Sequence, residues 1–324
     1  MADMPQDPGQ DRAASRSVDE QIFEGRALGS KLRLTLTNVP RAEAEIGWRS
    51  VVDEFDAVDR SMSAYRDDSD VLQLNGRAGQ LEATPVDRRL YAAVAMADRA
   101  WCQTGGRFDS RILSVLQALG RPGIQPVWIP TQETWPTPSG IQRDPRRSAI
   151  AISTSIDLGG IGKGLALRWA LDRLAGTLDP IGRGGLIEAG GDLVGRGPGP
   201  TGQEWLIGID DPDGGSDPVA VVGLASGGLC TSSIEVSSWT GPDGESVHHL
   251  IDPRTGRPGG HGLKSVTVAT ADPVWAEIWS KALFLAGPEE IGPEARRRDL
   301  AAWWIYEDGA LEMTPAARQR LRWP

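Results

Sequence analysis

The sequence predicts an α+β fold, rather than a doubly wound parallel sheet, on two observations. Segments with a helical period and segments with a strand period alternate irregularly along the chain. Several strand pairs stand close enough in sequence for hairpins, which join antiparallel neighbours; parallel neighbours need a long crossover. Neither of the two glycine-rich segments fits the G-x-G-x-x-G dinucleotide fingerprint in a βαβ setting.

The elements follow in order. Alternating Leu32, Leu34 and Leu36 predict a half-buried strand over 31–39, closed by Pro40. Residues 41–60 carry Ile46, Val51, Val52, Phe55 and Val58 at helical spacing. Further helices are predicted over 86–103 and 111–119, separated by Gly105-Gly106, with Gly120 as a stop. Residues 122–147 hold six prolines and no helical period, and read as a long loop or insertion. A strand over 149–156, a glycine-rich loop and a helix over 165–174 come next. Strands are expected at 186–194, 205–209, 219–224 and 265–270, a helix at 276–286, and a last helix-strand unit at 295–306. No solenoid-type repeat is present.

With 324 residues, 40% of them hydrophobic, the chain can bury a sizeable core. It reads as a single domain over 21–324 behind a disordered tail, residues 1–20. That tail contains four Asp, one Glu and no apolar run, so it is neither a secretory h-region nor a carrier of a lipid-acceptor Cys, and a cytoplasmic location is expected. A net charge of −10 argues against a nucleic-acid or anionic-membrane surface, and no run approaches the ~18 apolar residues of a membrane-spanning helix. Cys102 and Cys230 lack the spacing of a zinc or dithiol site, and three histidines make a His-based metal centre improbable. Any metal is therefore expected to be a hard ion held by oxygen.

Two segments concentrate chemistry. His249-Leu250-Ile251-Asp252-Pro253-Arg254-Thr255-Gly256 places an imidazole, a carboxylate and a guanidinium around a turn forced by Pro253 and Gly256. The plainer reading is a surface turn with Arg254 paired to Asp252. Asp157-Leu158-Gly159-Gly160-Ile161-Gly162-Lys163-Gly164 joins a strand to a helix, where backbone N–H groups, the positive helix end and Lys163 suit an anion. It is not a Walker A loop, because Asp157 replaces the leading Gly and Gly164 stands where Ser or Thr should be. Lys163 is one of four lysines, and its ammonium at a helix start needs an anion to offset the dipole. Gly190-Gly191-Asp192 reads as a bulge or turn between strands.

In order, these motifs resemble the ApbE family, the FAD:protein FMN transferases, from about Phe23 to Tyr306. The resemblance rests on Ala27-Leu28-Gly29-Ser30, Met62-Ser63-Ala64-Tyr65 with Ser69 and Asn75, Gly106-Arg107-Phe108-Asp109, the 157–164 loop, Gly190-Gly191-Asp192, Thr231-Ser232 and the His249 run. It implies an ApbE-like, T-fold-like α+β core of mostly antiparallel sheet packed with helices. It also implies an enzyme that splits FAD and transfers FMN to a Thr or Ser hydroxyl of an acceptor flavoprotein, releasing AMP. By motif position, Leu28, Tyr65, Arg107, Phe108, Asp109, Asp157, Lys163 and Leu250 would line the FAD site. His249, with an ordinary pKa near 6.5, would act as base or position the hydroxyl, with Asp252 and Arg254 beside it. Alternatives are an FAD pyrophosphatase, in which water attacks, and a flavin-binding protein without turnover.

The same resemblance implies Mg²⁺, held by the Gly160 carbonyl and by a helix motif that falls on Ala276-Glu277-Ile278-Trp279-Ser280-Lys281-Ala282-Leu283. Here Glu277 replaces the family's Asp and Lys281 its Thr ligand. An ammonium does not coordinate a cation, and Glu277 to Lys281 has the spacing of a helical ion pair. Either Lys281 supplies the charge, or the ion shifts to Gly160, Glu277 and water. Ser233 replaces a family Gly and fits only if its φ stays negative or the strain is tolerated.

Overall fold

The computed structural model describes residues 19–125 and 139–323. The expected tail lies outside the described residues as far as residue 18, and Glu20 already begins a strand. Of the expected loop 122–147, residues 126–138 lie outside them. The remainder is not all loop: Ile141–Asp144 pairs with Ala149–Ile152 around a turn in which the Asp144 carboxylate accepts the Arg146 N–H. Ile-Gln-Arg-Asp is too short to show a period of its own, and its pairing partner holds it in place.

Eight strands form one sheet: Glu20–Ala27 (β1), Ser30–Thr37 (β2), Gly184–Ala189 (β3), Asp192–Arg196 (β4), Ser226–Ser233 (β5), Leu263–Thr270 (β6), Ala301–Tyr306 (β7) and Leu311–Met313 (β8). Their spatial order is their chain order and every neighbouring pair is antiparallel. The β1–β2 turn is two residues long, Leu28 and Gly29, both with positive φ, as the twist of a tight hairpin requires. β1 is a charged edge strand whose apolar alternation is weak, which hid it from sequence reading.

The expected strand 186–194 is two strands, because Gly190 and Gly191 take positive φ and reverse the chain. The central strand β5, Ser-Gly-Gly-Leu-Cys-Thr-Ser-Ser, has low strand propensity and was invisible in sequence. Its glycines have a packing reason: a Cβ on Gly228 would stand 2.4 Å from Pro273 Cα.

Period-two alternation divides the two faces of the sheet among three hydrophobic clusters. Leu32, Leu34, Leu36, Ile187 and Val194 face a core roofed by the helices Arg41–Met62, Arg88–Gln103 and Gly162–Arg173. Val266, Val268 and Trp304 lie under the helix Pro273–Phe284. Leu193, Leu229 and Trp303 point the other way, against a small sheet of Trp205–Ile209, Ala220–Leu224 and Leu321–Trp323. Long helices thus cover one face and short strands the other. No helix among the described residues is long and apolar enough to cross a membrane.

Candidate active site

One cleft gathers residues from six segments: Tyr65, the 107–112 stretch, Arg121, Asp157 with Gly159 and Gly160, the 249–253 stretch, and Lys281 with Leu285. Each is fixed by ordinary local physics. Ser69 caps the short helix Asp70–Asn75, and the buried Asn75 amide then holds both backbone groups of Ile156, donating to its O at 2.9 Å and accepting its N–H at 2.8 Å. That clamp sets the start of the glycine loop. Gly105 and Gly106 take positive φ, and Thr104 Oγ1 accepts the Phe108 N–H at 3.0 Å, so Phe108 turns inward. A Cβ on Gly160 would come within 3.0 Å of the Phe108 ring, so glycine is what lets ring and loop meet. Asp109 Oδ1 accepts both the N–H and Nε of Arg111, at 2.9 and 2.8 Å.

His249 sits between two small ribbons, Ser238–Thr240 with Ser246–His248 and Ile251–Asp252 with Arg257–Pro258. Its Nδ1 is 3.2 Å from the Ser237 carbonyl. A carbonyl only accepts, so Nδ1 carries the proton and Nε2 keeps the basic lone pair. Burial pushes the imidazole down to about 3, with the charges of Arg121 and Lys281 acting in the same direction. His249 is therefore neutral at physiological pH.

Sequence reasoning missed Arg121. Its guanidinium lies over the Tyr65 ring at 5.7 Å and the Trp239 ring at 5.8 Å, while Trp239 Nε1 donates to the Leu119 carbonyl at 2.6 Å. Nothing in the local sequence singles out Arg121, because its two rings come from residues 65 and 239.

Tyr65, Arg107, Phe108, Asp109, Asp157, Gly160, His249, Leu250 and Lys281 of the sequence-derived set line this cleft. Leu28, Lys163, Asp252, Arg254 and Glu277 do not. Leu28 occupies the β1–β2 turn at φ +47° and packs on the core. Arg254 grips Asp252 through Nε to Oδ1 at 3.0 Å and Nη2 to Oδ2 at 2.8 Å, and this holds the Asp252 carboxyl below its usual range. The pair stiffens the turn that presents Pro253.

Lys163 pairs with Asp192 at 2.5 Å, and the anion that offsets a cation at this helix start is thus a side chain. Burial opposes its charge, but Asp192 and Glu277 outweigh that and hold the ammonium above its usual value. Glu277 is fully buried; its Oε2 accepts the Gly164 N–H at 2.7 Å and its Oε1 faces Lys281 Nζ at 3.2 Å. Burial pushes the Glu277 carboxyl up against the pull of both lysines. Ser233 has φ −139°, ordinary extended backbone, so its departure from Gly costs no strain.

A profile of the ApbE family matches residues 28–304. The chain belongs to the ApbE family. This ApbE-family chain is 28% identical over 312 residues to a FAD:protein FMN transferase of Klebsiella pneumoniae, covering 91% of this chain and 87% of that one. It is also 28% identical over 316 residues to the FAD:protein FMN transferase of Escherichia coli K12, covering 92% and 87%. The crystal structure of the ApbE protein from Thermotoga maritima superposes with a TM-score of 0.81 at 25% identity, over 94% of this chain and all of that one. The flavin transferase ApbE from Vibrio cholerae shares the fold with a TM-score of 0.78 at 22% identity.

Proposed function

We propose that this chain transfers FMN from FAD to a Thr or Ser hydroxyl of an acceptor flavoprotein and releases AMP. The observation that carries the reading is the convergence, in one cleft, of a neutral imidazole, three cationic side chains and two aromatic rings. Tyr65 and Phe108 offer surfaces for flat heterocycles, while Arg107, Arg121 and Lys281 offer positive charge to a diphosphate.

The chemistry is in-line displacement at phosphorus. The acceptor hydroxyl oxygen forms a bond to the FMN phosphorus, the bond from that phosphorus to the bridging oxygen breaks, and AMP leaves with the bridging oxygen. His249 Nε2 takes the hydroxyl proton. In the free protein its basicity is low, but a bound diphosphate sets negative charge beside Arg121 and Lys281 and raises the imidazole towards a useful range.

Magnesium, the family's expected ion, requires near-octahedral oxygen coordination. Both Glu277 carboxylate oxygens already accept hydrogen bonds and the neighbouring position is an ammonium. Among the described residues no group of three or more His, Cys, Asp or Glu side chains could hold a metal ion. These donors do not fit Mg²⁺.

The test is incubation of the full chain with FAD and a flavin-acceptor protein, following AMP and in-gel flavin fluorescence together. Transfer gives one labelled acceptor per AMP. AMP without labelled acceptor means hydrolysis, and retained FAD with neither product means carriage; either result overturns the reading.

A further inference from the structure

We propose that the Lys281 ammonium is the cation this chain presents to the FAD diphosphate, so that FAD binding and FMN transfer proceed without a divalent metal ion. The inference deepens the flavin-transfer reading and rests on it.

Three observations carry it. Lys281 is in the right place: its side chain is 17% exposed, lines the cleft beside His249 and runs over Gly160, with Cδ 3.6 Å from where a Gly160 Cβ would be. Its ammonium is held from behind. Nζ donates to Glu277 Oε1 at 3.2 Å and to the Glu277 carbonyl at 3.4 Å, one turn earlier on the same helix. An ammonium has three donors, so one remains for a ligand oxygen in front.

The third observation is that Glu277 is itself committed. Its Oε2 accepts the Gly164 N–H at 2.7 Å, which ties the start of the 162–173 helix to the 273–284 helix. A divalent ion at Glu277 would have to break that bond or displace Lys281, and would then meet Lys163 and Lys281 as like charges. The four charged groups Lys163, Asp192, Glu277 and Lys281 already balance to zero. In the displacement, negative charge develops on the bridging oxygen that departs with AMP; a fixed ammonium stabilises that charge by hydrogen bonding rather than by coordination. No atom is transferred to or from Lys281.

The competing account is a purely structural ion pair, and affinity separates the two. FAD binding to the full chain is measured by flavin fluorescence quenching, after EDTA treatment and again with added magnesium; AMP release with an acceptor protein is measured under the same conditions. The wild-type chain is expected to show the same affinity and rate in both, within about twofold. Lys281→Met is expected to weaken FAD binding roughly 10- to 100-fold, the loss of a charge-assisted hydrogen bond. Because Lys281→Met strands a buried carboxylate, Glu277→Gln/Lys281→Met is measured alongside; it should fold and show the same loss. Lys281→Thr is expected to recover affinity with magnesium and not with EDTA.

Wild-type protein that loses FAD affinity in EDTA and regains it with magnesium overturns the inference alone, and would assign the ion to Gly160 and Glu277 with Lys281 turned aside. Unchanged affinity in the folded double variant also overturns it alone, leaving a structural pair. A wild-type chain that binds no FAD in either condition overturns it together with the flavin-transfer reading.

Discussion

At the scale of the residue, His249 is the side chain we propose as the proton acceptor. Its Nδ1–H is committed to the Ser237 carbonyl, and burial with two nearby cations holds its pKa down to about 3. His249→Gln should therefore lower FMN transfer roughly 10²–10⁴-fold while FAD affinity changes little, as expected for a proton acceptor and not for a binding contact. An equal loss in both would sink that assignment. The same depression links His249 to stability. From the ordinary value of 6.5 down to about 3, the unfolded chain takes up a proton on this ring that the folded chain refuses. Its contribution is thus fully present above pH 6.5 and is lost as pH falls through that window. Urea midpoints of wild type and His249→Gln, measured from pH 7 to pH 4.5, should converge as the pH drops; parallel curves would refute the depressed pKa.

At the scale of the element, the site depends on how closely two helices approach. The start of the 162–173 helix meets the start of the 273–284 helix at Gly164, where an added Cβ would lie 2.8 Å from Val274 Cα and 2.9 Å from Glu277 Oε2. Gly164→Ala should cost about 1–3 kcal/mol through overpacking and weaken FAD binding through the displaced Glu277, both readable from one urea series with and without FAD. A midpoint equal to wild type would show that the approach is looser than described. Elements with a strong period were legible in sequence: Arg41–Met62, Arg88–Gln103 and Trp205–Ile209 begin or end within a few residues of expectation. β1, β5 and Ile141–Asp144 were not, because an edge strand, a Ser/Gly-rich central strand and a four-residue strand owe their conformation to pairing partners rather than to their own residues.

At the scale of the whole molecule, the cleft exists only when six chain segments meet, so FAD should bind the folded chain and not the unfolded one. FAD at a hundredfold its dissociation constant is then expected to raise the unfolding free energy by roughly 2.7 kcal/mol. Thermal or urea unfolding with graded FAD measures this, and a midpoint that does not move with FAD would contradict the site. FMN and AMP supplied separately should each stabilise less, since each carries only part of the dinucleotide. The order of the sheet explains how the segments meet. Long excursions leave the meander between β2 and β3, between β5 and β6, and between β6 and β7, and they return cleft residues from 65 to 160, from 249 to 253 and at 281.

The sequence by itself determined the α+β class, the amphipathic helices and the glycine loop, because periodicity and backbone freedom are local properties. It also carried most residues of the cleft, through motifs whose order along the chain needs no coordinates. Only the tertiary structure decided the long-range partners. It set Lys163 against Asp192 and Arg121 between Tyr65 and Trp239, and it turned Lys281 towards the cleft, whereas the Arg254–Asp252 and Glu277–Lys281 pairs were already legible in local spacing. These long-range pairs join residues tens to more than a hundred positions apart. Which charge meets which, and in how little water, is therefore fixed by packing and not by the spacing of residues along the chain.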